Sequence, residues 1–137
     1  MASQAEYFQT SITGTCRIAT ANTNRTGGTY DTVGAMELLA RGAAGQGSVI
    51  RWIHAKAEGT TTAGQVRLWV EKRASGLRTL LDEIAIAAAT VSATVQASVG
   101  DWLPPLADGF RLEEGDGIFA STHNAEGFTV TASGVKP

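Results

Sequence analysis

Alternating apolar and polar positions predict short strands separated by turns. The clearest alternation runs from Gln65 to Lys72, with Val66, Leu68 and Val70 on one side and Arg67, Trp69 and Glu71 on the other. Successive side chains of a strand point to opposite faces, so this spacing predicts a half-buried strand. Val49 to Ala57 alternates likewise, placing Ile53, Ala55 and Ala57 inward and Trp52, His54 and Lys56 outward. Thr15 to Thr20 puts Cys16, Ile18 and Thr20 on one face, opposite Arg17 and Ala19. Further strands are predicted over 77–86, 94–99, 110–112, 117–122 and 127–132. Residues 32–40 fit a strand or a short helix, and the MELLA run alone favours helix.

Turn formers fill the gaps. NTNRTGGT over 22–29, the Gly-rich stretch 41–48 and EGTTTAG over 58–64 read as loops. A short turn through Arg73 to Gly76 joins 65–72 to 77–86 as a hairpin. Residues 85–93 are alanine-rich, but Thr90, Val91 and Thr94 favour extended chain, and the stretch reads as a loop before the next strand. Pro104-Pro105 excludes a helix or central strand across 101–109. His123 to Glu126 turns between the last two strands. About eight strands with turns every 8–12 residues predict an all-β antiparallel sandwich of jelly-roll or related Greek-key topology. Residues 1–14 show no period and predict an extended arm, leaving 15–137 as one sandwich domain.

Composition supports the strand reading. The chain holds 22 Ala, 17 Thr and 16 Gly, so small residues make up 55 of 137 positions. Thr favours strands and Gly marks turns. The formal net charge of −2 argues against a general nucleic-acid binder, which needs a basic excess. A single cysteine, Cys16, excludes an intrachain disulfide and a multi-cysteine zinc site. No apolar run reaches the ~18–20 residues that span a bilayer. The start of the chain lacks the basic and apolar regions of a secretory signal.

Candidate chemistry is sparse. His54, His123 and Cys16 would have to converge to form a nucleophile–base pair or a metal site, and their spacing does not require it. The expectation is no catalytic residue, no metal and no cofactor. Glu113, Glu114 and Asp116 form an acidic turn that reads as a solvated bend at Gly115; Ca²⁺ binding is the sharper alternative. Arg51, Lys56, Arg67, Lys72, Arg73 and Arg78 fall in the middle third, and Asp101, Asp108, Glu113, Glu114 and Asp116 in the last. That segregation predicts one basic and one acidic surface, unless it is ordinary surface charge.

The aromatics are the stronger lead. Trp52 and Trp69 both fall on outward faces, and would share one patch if their strands pair. The competing reading inverts the inner face locally and puts both rings in the core. Trp102, beside Pro104-Pro105, is expected to cap one end of the core. The candidate partner-binding residues are Tyr7 and Phe8 on the arm, with Trp52, His54, Arg67 and Trp69 on the domain.

The stretch EGTTTAGQVRLWV, running through the hairpin into LDEIAI and ending in GIFASTHNAEGFTVTASG, resembles small structural proteins of tailed bacteriophages, of the capsid cement or decoration type. The resemblance spans roughly residues 15–134 and rests on strand and turn phrasing. It implies a jelly-roll-like sandwich that binds the outside of the phage head and clamps major capsid subunits. It further implies a homo-oligomer, dimer or trimer, made in the host cytoplasm and carried on the virion. Neither nucleic acid nor membrane would be contacted directly, and no active site would be needed. The alternative is a tail or head-fibre module that recognises host surface glycans, with Trp52 and Trp69 as its platform. A small enzyme is the third reading, with only Cys16, His54 and the acidic turn to support it.

Overall fold

The computed structural model describes residues 10–136. Their strands are β1 (Thr10–Ile18), β2 (Glu37–Arg41), β3 (Ser48–Ala57), β4 (Gly64–Glu71), β5 (Arg78–Ile86), β6 (Val99–Trp102), β7 (Phe110–Leu112), β8 (Gly117–Thr122) and β9 (Phe128–Lys136). No helix occurs among the described residues, so none is long and apolar enough to cross a membrane. Two antiparallel sheets form a sandwich. Sheet A has the order β1-β9-β3-β6, with β7 pairing the other half of the same β3 edge, and sheet B has the order β2-β8-β4-β5.

The pairs nest. β1 lies on β9, β2 on β8, β3 on β6 and β7, and β4 on β5. The chain therefore runs like one long hairpin, with its tip at β4–β5, rolled so that its strands divide between two layers.

Alternation places the core as expected on β3 and β4. Ile53, Ala55 and Ala57 of β3 and Val66 and Leu68 of β4 are buried between the sheets. Ile118, Ala120, Phe128, Val130 and Ala132 meet them from β8 and β9. Trp102 closes part of this core, its ring edge-on to Phe110 at 6.2 Å and its indole N–H donated to Asp82 Oδ2 at 2.7 Å. β3 is irregular at one point. Its register to β9 slips between Ile50 and Trp52. Ile50 and Ile53 are then both buried while Arg51 and Trp52 are both exposed, as an extra residue in a bulge requires.

Several boundaries differ from expectation, the last strand among them: expected over 127–132, it runs Phe128–Lys136. Residues 32–40 contain no helix; the strand is Glu37–Arg41, and pairing with β8 overrides the local helix preference of the Met-Glu-Leu-Leu-Ala run. The strand expected over 94–99 is Val99–Trp102 instead. Ser92 Oγ accepts the backbone N–H groups of Thr94 and Val95, a side-chain-closed turn that competes with strand pairing. The sheet begins at Thr10, so residues 10–14 of the expected arm belong to β1 and pair with Ala132 to Lys136 of β9.

Candidate interaction surface

The outer face of sheet B carries Trp69 and Arg67, and neither is available to a partner. Trp69 is fully buried and Arg67 is 5% exposed. The segment 19–36 is laid over them. Asn22 anchors it: the backbone N–H of Asn22 donates to Thr122 O, and its side-chain amide donates to the carbonyls of Val33 and Ala35, both at 2.9 Å. Gly28 and Arg78 exchange two backbone hydrogen bonds further along. Beneath this cover Trp69, Phe119 and Val33 form a second apolar layer outside the main core. Arg67 donates to Glu83 Oε2 at 2.8 Å and to Asn22 O at 3.1 Å. Arg78 lies 3.9 Å from the centroid of the Phe119 ring and donates to Glu71 Oε2 at 2.8 Å. A guanidinium that is stacked, paired and covered belongs to the fold.

The expected Trp52–Trp69 patch does not exist. β3 and β4 lie in different sheets, so the two rings are on opposite outer faces of the sandwich. Of the six candidate partner-binding residues, the structure brings Arg67 and Trp69 together beneath a cover, and Trp52 and His54 together on a face open to a partner. Tyr7 and Phe8 lie outside the described residues.

Trp52 and His54 meet on the outer face of sheet A. They are two apart on β3, and their ring centroids are 5.3 Å apart. β6 contributes Asp101, directly opposite His54. The Asp101 Oδ1 atom accepts the indole N–H of Trp52 at 2.9 Å and lies 2.7 Å from His54 Nδ1. The hydrogen bond with His54, helped by Trp52, holds the Asp101 carboxyl below the usual carboxylate range. Trp52 is 39% exposed. The indole is tethered yet accessible, so a partner would meet it with little ordering cost.

Beside Trp52 the sheet edge opens. β6 ends at Trp102 opposite Ile53, and β7 resumes at Phe110 opposite Ile50. Residues 103–109 leave the sheet at the level of the β3 bulge. Pro104-Pro105 supplies no N–H donors for the β3 edge. Gly109 returns the chain with φ +97°, where a Cβ would lie 2.8 Å from Ile50 O, and its N–H donates to Leu106 O at 3.1 Å. Leu103 is 71% and Leu106 66% exposed. With Arg51, Pro104, Pro105 and Gly109 they line a groove of about 390 Å³.

The remaining candidates disperse. Cys16 is half-buried in the row of Val130 and Ala55, facing the core, whereas His54 faces out. Burial, with the Glu37 charge, pushes the Cys16 thiol up to about 11. His123 lies in the β8–β9 turn, where its Nδ1 accepts the Gln65 N–H at 3.2 Å. In the acidic turn, Asp116 is buried and accepts from Lys72 Nζ and the Arg73 N–H, both at 3.0 Å. No group of three His, Cys, Asp or Glu residues could hold a metal ion among the described residues. The basic and acidic groups that the sequence sets apart meet in the fold, in keeping with ordinary surface charge. Arg67 and Arg78 are buried in ion pairs, and Lys72 is bound to Asp116, joining the two halves of the charge distribution.

Asp101, Leu103 and Leu106 are the surface residues that sequence reading missed. A signal for the leucines was present: apolar residues flanking a Pro-Pro pair cannot join a central strand, so burial through sheet pairing is closed to them. Asp101 had none, because its partner is 47 positions away. No protein family, curated protein or solved structure matches the chain.

Proposed function

We propose that this protein is a non-enzymatic phage virion component, a cement or decoration protein. It would sit on the outer surface of the head and hold neighbouring major capsid subunits together. The observation that carries the reading is the groove beside Trp52: an exposed apolar excursion built on a Pro-Pro pair, on a sandwich most of whose arginines are paired. Contiguous exposed apolar surface marks interaction sites. We read the nested strand order as a jelly roll. The phage assignment itself rests on the resemblance of residues 15–134 in strand and turn phrasing. Homo-oligomers would multiply weak contacts over a repeating shell. The test mixes purified protein with expanded phage heads that lack it, sediments them and images the pellet by electron microscopy. Regular extra density at stoichiometric occupancy is expected. A clean supernatant with bare heads sinks the reading.

A tail or head-fibre module that binds host glycans is the second reading, favoured by the tethered indole of Trp52 beside the His54 and Asp101 hydrogen-bonding groups. Its platform would hold one tryptophan, since Trp69 is covered. Retention on host polysaccharide that Trp52→Ala abolishes would support it over the capsid reading.

A further inference from the structure

We infer that the groove between Arg51 and residues 103–109 takes an apolar loop of the capsid lattice that carries an Asp or Glu side chain, with Arg51 receiving the carboxylate. The inference rests on the capsid reading above and names the chemistry of its contact.

Charge complementarity points to Arg51: it and Arg73 are the arginines without a carboxylate partner among the described residues, and of the two only Arg51 lines the groove. Arg17, Arg25, Arg41, Arg67, Arg78 and Arg111 each lie within 4 Å of a carboxylate. The Arg51 side chain has neither a salt bridge nor a hydrogen bond among the described residues, and Arg51 is exposed on the groove wall. Asp108, on the same excursion, is exposed and forms no salt bridge with it among the described residues. The bulge in β3 produces this placement: the extra residue turns Arg51 out beside Trp52, at the gap left by the split of β6 from β7. An unpaired guanidinium in water has little to lose on meeting a carboxylate. Against apolar walls its two-pronged donors gain strength as water is excluded.

The walls select the rest of the ligand. Leu103, Leu106 and Pro105 are apolar and exposed. Two prolines and the hydrogen bond from the Gly109 N–H to Leu106 O restrict the backbone before a partner arrives, so less ordering entropy is lost on contact. A wholly polar chain would leave these leucines unpaired, and a wholly apolar one would desolvate Arg51 without compensation. An apolar segment with one carboxylate satisfies both.

The test uses the full chain and expanded phage heads that lack it, with binding measured by sedimentation against protein concentration. Arg51→Gln and Leu106→Ser should each weaken attachment by about tenfold, as loss of a central contact does. Arg51→Lys keeps the charge and should retain more binding than Arg51→Gln. Added salt should weaken the wild-type protein more than Arg51→Gln. Urea midpoints of the variants should match wild type, because these side chains are exposed. Wild-type attachment with both variants within about twofold of it overturns the groove and leaves the capsid reading standing. No wild-type attachment overturns both. Retention of the wild-type protein on host polysaccharide, lost in Arg51→Gln, replaces the proposed occupant with a glycan.

Discussion

Trp69 donates its indole N–H to the Ser121 hydroxyl at 2.9 Å, across the β4–β8 pair and beneath the segment 19–36. Both residues are almost fully buried, so this bond lies in a dry layer outside the main core. Trp52 has an equally outward position on its own strand but no such cover. The two tryptophans therefore have opposite roles: one holds a loop onto the sandwich, and the other is presented to the surroundings.

This contrast yields the first prediction. Trp69→Ala should destabilise the protein by about 3–5 kcal/mol, the usual cost of emptying a buried aromatic site. Trp52→Ala should cost under about 1 kcal/mol, because its ring is partly exposed already. Urea unfolding of both variants checks this, and equal losses would show that segment 19–36 does not cover Trp69.

Asn22 is the second target. Its side-chain amide is the donor to two carbonyls, and its Oδ1 accepts the Asn24 N–H at 3.0 Å. Asn22→Ala removes these bonds and leaves Val33 O only the 3.3 Å bond from Asn24 Nδ2, and should cost about 1–3 kcal/mol by the desolvation of polar atoms left unpaired. Amide hydrogen exchange should also rise selectively across 19–36. Unchanged protection there would mean that other contacts hold the segment.

The third prediction concerns acid. Burial works to raise the carboxyls of Glu83 and Asp116, but their donors win. Arg25 and Arg67 hold Glu83 below the ordinary range, and the Arg73 N–H and Lys72 do the same for Asp116. A depressed carboxyl binds its proton more weakly in the folded chain than in the unfolded one. Its stabilisation is complete above the unfolded value of ~4 and is lost as pH falls through the lower folded value. The urea midpoint should fall between pH 5 and pH 2. In Glu83→Gln that fall should be smaller, and an identical fall in the variant would assign the acid sensitivity to other groups.

Cys16 supplies the fourth. With its thiol at about 11 instead of the ordinary 9.0, very little thiolate exists near neutrality. At pH 8 an aromatic disulfide reagent should label native protein about a hundredfold more slowly than urea-unfolded protein. The raised value also has a stability consequence. From pH 9 upward the unfolded chain ionises while the folded thiol stays neutral, so this contribution is progressively lost towards pH 11. Rapid native labelling at pH 8 would contradict the burial of Cys16.

Legibility differed from element to element. The hairpin of β4 and β5 and the inward rows of Ile53, Ala55 and Ala57 and of Val66 and Leu68 were readable, because period-two alternation is local. Of the candidate surface, Trp52 and His54 were readable as outward residues of one strand. Their partner Asp101 was not, because it arrives from another strand by a pairing register. The choice between strand and helix for residues 32–40 stayed open for the same reason: pairing with β8 is a long-range gain that no local window contains.

The amino-acid sequence by itself determined the all-β class, the inner rows of the main strands and the prolines that break the β6–β7 edge. These follow from side-chain alternation and backbone restriction, which act within a few residues. Only the tertiary structure decided which outward residues meet the solvent. A sheet has two faces, and the sequence of a strand states which residues share a face but not what lies against it. Segment 19–36 covers Arg67 and Trp69, whereas Arg51, Trp52 and His54 face outward beside a split sheet edge, because contacts distant in sequence place a covering segment over one sheet face and leave the other's without one.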